Sequence, residues 1–177
     1  MRHVVIALAA GLACGISGTP AADAPAPMAE LRLLEDMIGT WDEVVTVKPA
    51  DWTPMGETRT SVTRRSWSHG GKFMRSDGAW QPAKIEFLYL IAYDAPASTY
   101  RCWYFDSSGE MPREPITGAW DAKTRTLTWT VTDAAGNQTV SKHKLIDKDR
   151  HDWTMVVTNR DRKVLLDFSA KCTRRRE

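Results

Sequence analysis

Thr126-Leu127-Thr128-Trp129-Thr130-Val131-Thr132 alternates without a break, with four threonines on one face and Leu127, Trp129 and Val131 on the other. A strict period of two is what a strand half-buried against a core requires, and a helix does not produce it. Further along, Asp152 and Thr154 alternate with Trp153, Met155 and Val157, while Val164, Leu166, Phe168 and Ala170 share one face of the last run. Ten runs of this type follow residue 39, at 40–47, 57–67, 72–76, 85–93, 99–105, 114–120, 126–132, 138–146, 152–158 and 163–172. Their connectors are short and carry Asp, Asn or Gly where positive φ is expected, as in Asp133-Ala134-Ala135-Gly136-Asn137. Such connectors leave no room for crossover helices, so the strands must pair antiparallel as a meander. A meander this long has two edges to hide, and closure removes both; the expectation is an all-β antiparallel barrel of eight to ten strands.

One segment departs from this period. Met28, Leu31, Leu34, Met37 and Ile38 recur at helical spacing with Glu30, Arg32 and Glu35 opposite and Gly39 after the last turn, which predicts a short amphipathic helix over 28–37. It cannot bury its stripe alone and should pack against one mouth of the barrel.

The 177 residues carry 24 Lys plus Arg against 22 Asp plus Glu, a net charge of +2. So mixed a balance gives no electrostatic footprint for nucleic acid, and the only dense basic cluster is Arg174-Arg175-Arg176. Eight Trp is an excess, so indole must build much of the interior or of a pocket.

Residues 1–24 read as a secretory signal peptide: a basic start, an apolar run over 4–13, then small residues with Pro. About ten apolar residues are too few for a bilayer span, which needs about 20. Ala22-Asp23-Ala24 and Thr19-Pro20-Ala21 compete as cleavage sites, placing the mature start at 22 to 25. Cys14 stands where a lipoprotein cysteine would, but Gly11-Leu12-Ala13 lacks the branched residue usual three positions before it. The expected organisation is a leader over 1–24, a linker and helix over 25–38, and a barrel over 39–177, exported to the periplasm or beyond. Cys102 and Cys172 then meet an oxidising compartment. In a closed meander they lie on strands five and ten, half a barrel apart, and are expected to be free thiols.

Gly39-Thr40-Trp41 resembles the Gly-x-Trp signature at the start of lipocalin-type barrels. The ordered set Leu34-x-x-Met37-Ile38-Gly39-Thr40-Trp41, Ala92-Tyr93-Asp94, Tyr100-x-x-Trp103-Tyr104-Phe105-Asp106-Ser107-x-Gly109 and Gly118-Ala119-Trp120-Asp121, followed by Thr126-Leu127-Thr128, is more specific. It resembles an uncharacterised bacterial family, domain of unknown function fifteen seventy-nine, grouped with the calycins that include lipocalins, fatty-acid-binding proteins and nitrobindins. The resemblance spans roughly Leu31 to Cys172 and implies a calycin-like barrel, with no activity or catalytic residues to carry over. Ile91-Ala92 stands where a Gly is expected beside the Tyr-Asp pair, and 78–84 is less Gly-rich than is usual.

Catalytic patterns are absent: no Gly-x-Ser-x-Gly elbow, phosphate loop or His-Glu-x-x-His, and no zinc or calcium spacing. No cofactor is called for. His151 would be a haem ligand by analogy with nitrobindins, but no motif around it matches. Asp94 and Asp106 read either as an acid pair or as turn caps. The candidate ligand-binding residues are Arg101, Trp103, Phe105, Trp129, Ser141 and His143. On the eighth run Lys142 and Lys144 should face water, turning Thr139, Ser141, His143 and Leu145 inward; the alternatives are an edge strand solvated on both faces, or a His143 that simply hydrogen-bonds a neighbouring strand. Trp103 and Phe105 are expected to face inward as apolar wall, and Arg101, on the same face, would anchor a carboxylate if inward, or snorkel at the rim if not.

Three functional readings follow. The chain is an exported, non-enzymatic barrel that binds a small apolar or amphipathic molecule; or a structural or protein-interaction domain with a filled aromatic core; or an enzyme of isomerase or decarboxylase type using a cavity acid. An internal cavity separates the first two.

Overall fold

The computed structural model describes residues 29–80, 84–109 and 114–176. The expected leader and linker, and Met28 of the expected helix, lie outside the described residues. Ten antiparallel strands form a closed barrel: β1 (Gly39–Val47), β2 (Glu57–Ser68), β3 (Phe73–Trp80), β4 (Ile85–Asp94), β5 (Thr99–Asp106), β6 (Ile116–Asp121), β7 (Thr126–Thr132), β8 (Gln138–Leu145), β9 (Arg150–Thr158) and β10 (Val164–Arg174). Each pairs with its sequence neighbours, and β1 pairs with β10 to close the ring. Cys102 on β5 and Cys172 on β10 are buried free thiols. Among the described residues no helix is long and apolar enough to cross a membrane.

The helix α1 (Ala29–Met37) closes one end. Leu33, Leu34 and Met37 are buried against Met74, Ile91, Tyr100, Cys102, Leu127, Trp129 and Leu145, so the plug and the barrel wall form one apolar cluster. Tyr100 donates from its hydroxyl to the Glu30 carbonyl (2.8 Å), and Trp41 donates from Nε1 to the Met37 carbonyl (2.9 Å), tying both helix ends to the wall.

Arg174 completes that seal from the other end of the chain. Its guanidinium lies 4.3 Å from the Trp41 ring centroid and donates to the carbonyls of Asp36, Ile38 and Lys148, two of which are carbonyls at the helix end. This explains Gly39. Its φ is 128°, a region L side chains avoid, and a Cβ there would collide with Arg174.

The connectors meet the expectation in part. Gly136 takes a positive φ as expected, whereas in their connectors the left-handed position falls on Arg125 and on Arg162. Asp121, Asp133, Asp147 and Asn159 hold their turns by accepting backbone N–H bonds from Lys123, Asn137, Asp149 and Lys163.

Candidate functional site

Above the helix plug the barrel encloses a cavity of about 330 Å³. Its wall follows from the pleat: every second residue of each strand points in. Trp80, Phe87, Tyr89, Trp129, Trp153 and Phe168 supply most of its ring surface. Trp80 of β3 and Trp153 of β9 stack across the interior with centroids 5.6 Å apart and planes at 21°, and His143 stacks on Trp153 at 5.5 Å.

The expected site residues divide. Trp129, Ser141 and His143 line the cavity, as do Val131 and Thr139, so β7 and β8 present the faces that their alternation indicated. Ser141 is already engaged, accepting from Trp153 Nε1 at 2.7 Å, so it fixes the indole. Arg101, Trp103 and Phe105 are on the other face of β5, which corrects the inward placement of Trp103 and Phe105 and gives Arg101 its outward alternative. Tyr100, Cys102 and Tyr104 point in, paired in register with Tyr93, Ile91 and Tyr89. The outer face keeps Arg101 hydrated and ion-paired with Asp94 (3.2 Å), places Trp103 near Phe73 (6.1 Å), and sets Phe105 in a depression on the outer wall beside Val62 and Leu88. Asp94 and Asp106 sit at opposite ends of the β4–β5 pair and cap turns, accepting from the backbone N–H groups of Ala97 and Ser108.

Beside Glu43 and Arg65, which line the cavity, lies polar chemistry that sequence reading did not assemble. Ser61, Glu43, Cys172 and His151 are successive cross-strand partners on β2, β1, β10 and β9, forming one inward row. Glu43 accepts from Ser61 Oγ (2.8 Å) and from Arg65 Nη2 (3.3 Å); both ions of the Glu43–Arg65 pair are at most 5% exposed at the side chain. Arg65 Nη1 is 3.3 Å from His151 Nε2. A guanidinium only donates, so Nε2 accepts and the ring proton sits on Nδ1, which is buried without a partner.

Burial and the Arg65 charge hold both interior histidines neutral. His143 is pushed down to about 3, chiefly by desolvation, and His151 is lowered further by desolvation, Arg65 and His143. Burial raises both thiols, Cys102 to about 12, so neither is a nucleophile near neutral pH. The donor atoms of Glu43, His151 and Cys172 lie within 4.8 Å of one another, the geometry of a possible cation site. Arg65 already contacts two of the three, however, and a second cation there would face its charge.

Arg59 is the other inward cation. Its Cζ lies 5.0 Å from the Trp80 ring centroid, Nη1 is 3.3 Å from Glu57 Oε1, and Nε is buried without a partner. Thr63 Oγ1 and His143 Nδ1 are likewise buried and unpartnered, and all three residues line the cavity. Each such atom costs the fold about 1–3 kcal/mol until something bonds to it.

No protein-family description matches this chain, and neither does any curated protein. Solved structures do. A protein of unknown function from the DUF3598 family of Nostoc punctiforme aligns over 80% of the chain at 8% identity and a TM-score of 0.54. The S-type phycobiliprotein lyase CPES of Guillardia theta aligns over 85% of the chain and 95% of its own length, at 9% identity and a TM-score of 0.57. The chain shares its barrel fold with both. It spans about half the length of the first, 49%. At these identities the likeness concerns the fold, and function must be argued from the site.

Proposed function

We propose that the chain is an exported barrel that binds a small apolar or amphipathic molecule in its interior, without catalysing its conversion. The observation that carries this reading is the cavity of about 330 Å³, walled by aromatic rings and bordered by three unpartnered polar atoms. That volume lies at the small end of ligand pockets, and an apolar wall with a few convergent polar groups is their usual composition. A filled structural core would close such a void, since cavities cost stability in proportion to their volume. Among the described residues the interior offers little support for the enzymatic reading: the interior histidines are held neutral, the thiols are held protonated, and Glu43 is ion-paired with Arg65. One structural neighbour is a lyase, so this architecture alone does not decide between binding and catalysis. Export rests on the leader pattern over 1–24, and membership of family fifteen seventy-nine on the motifs between Leu31 and Cys172.

Native mass spectrometry of the exported protein, desalted gently, tests this directly. The expected result is one co-purifying small molecule per barrel, or uptake of one equivalent from a panel of fatty acids, aromatic acids and neutral arenes with a shift in tryptophan emission. If no member of the panel changes emission or the thermal midpoint, the binding reading fails. N-terminal sequencing of the exported form should begin at 22 to 25; a start at a lipidated Cys14 would overturn that cleavage assignment.

A further inference from the structure

We infer that the ligand of this barrel is an aromatic carboxylate whose acid group lies on the Nε edge of Arg59. The inference rests on the binding reading above and specifies the ligand class.

Among the described residues two cations, Arg59 and Arg65, face the interior, and their environments decide between them. Arg65 is spent: it contacts Glu43 and His151, and an incoming acid would meet the Glu43 charge beside it. Arg59 is only half used. Its Nη1 pairs with Glu57, whose side chain is 46% exposed, while Nε is buried with no acceptor. The N–H of Nε and one N–H of Nη2 run parallel, the fork that takes both oxygens of a carboxylate. Trp80 lies beneath the guanidinium, 5.0 Å from Cζ, and both residues line the cavity.

The surroundings select the rest of the molecule. Trp80 contacts Phe87 at 4.9 Å and Trp153 at 5.6 Å, and Trp153 contacts Phe168 at 4.8 Å, so a ligand held at Arg59 meets ring faces and edges on several sides. Flat rings exploit such a wall better than a flexible alkyl chain, which loses rotamer freedom on entering a cavity this small. A neutral arene gains the same contacts but leaves Arg59 Nε unpartnered.

Calorimetric titration of the full protein near pH 8, with naphthoate and the neutral naphthalenemethanol, tests the assignment. Naphthoate is expected to bind one equivalent at least tenfold tighter than naphthalenemethanol, the scale of a charged hydrogen bond. In Arg59→Gln that preference should vanish while naphthalenemethanol binding stays within about twofold; Arg59→Lys, which keeps charge without the fork, should recover part of it. Arg101→Gln, on the outer wall, should change nothing. In wild type carrying isotope-labelled arginine, the Arg59 Nε–H resonance should shift downfield on adding naphthoate, a readout that does not depend on a variant folding. Equal binding of acid and alcohol, an acid preference that survives in Arg59→Gln, or an unmoved Nε–H resonance overturns the inference and leaves the binding reading standing if the alcohol still binds. Failure of both compounds and of the wider panel overturns the two together.

Discussion

Lowering the pH from about 8 to about 5 should cost the barrel about 4 kcal/mol, and the cost should trace to two side chains. His143 and His151 are both neutral in the folded state, His143 held down to about 3 by burial and Arg65, and His151 lowered further. In the unfolded chain each titrates near 6.5. A depressed histidine favours the unfolded state once protons are available, so stability is full above about pH 6.5 and falls as the pH drops towards the folded value. Each unit below 6.5 costs about 1.36 kcal/mol per histidine, or about 2 kcal/mol each at pH 5. The carboxylates lowered by their partners, Asp42, Asp121, Asp133 and Asp147, lose their contribution only below 3.8, outside this window. Urea unfolding at the two pH values measures the difference; with a slope of about 2 kcal/mol per molar, the midpoint should fall by about 2 M. His143→Gln should halve the shift. A midpoint that moves by less than about 0.5 M in wild type, or a full shift retained in His143→Gln, would refute the claim that desolvation and Arg65 keep these rings neutral.

Replacing Arg174 with Met removes the cation over Trp41 and strands carbonyls at the end of α1; the expected loss is about 3 kcal/mol, read as a drop in urea midpoint. Gly118→Ala places a Cβ into the six-membered ring of Trp129 and should cost about 1–3 kcal/mol. Because Trp129 lines the cavity, the same variant should alter tryptophan emission and ligand capacity, and an unchanged spectrum would show that the ring relaxes elsewhere. Both thiols should resist labelling in the native, unreduced protein and both should react once it is unfolded; one reactive thiol before unfolding would contradict their burial.

The strands whose faces were legible are those where one face is unambiguously polar. Lys142 and Lys144 settle β8, and the threonine row settles β7. β5 offers no such contrast. Tyr100, Cys102 and Tyr104 compete with Arg101, Trp103 and Phe105, and the large rings of Trp103 and Phe105 favour the second set only if the charge of Arg101 is discounted. The outcome turns on partners supplied by other elements. Tyr100 finds the Glu30 carbonyl and Tyr104 finds Asp106, so the phenols are satisfied on the inside, while Phe73 and Asp94 give Trp103 and Arg101 contacts outside. β2 was illegible for the opposite reason, because both of its faces are polar, and Arg59, Ser61, Thr63 and Arg65 could have faced either way. The deciding signal lies one strand earlier. Trp41, Val45 and Val47 fix the inner face of β1, and Glu43 shares it by the period of two. An inward carboxylate in an apolar barrel must be neutralised nearby, since an unpaired buried charge costs several kcal/mol. The neighbouring strand then has to turn a base inward, and whichever of its faces holds Arg65 also holds Arg59, six residues away on the same side. The cation available to a ligand is therefore a consequence of the buried acid that fixes the register of β2.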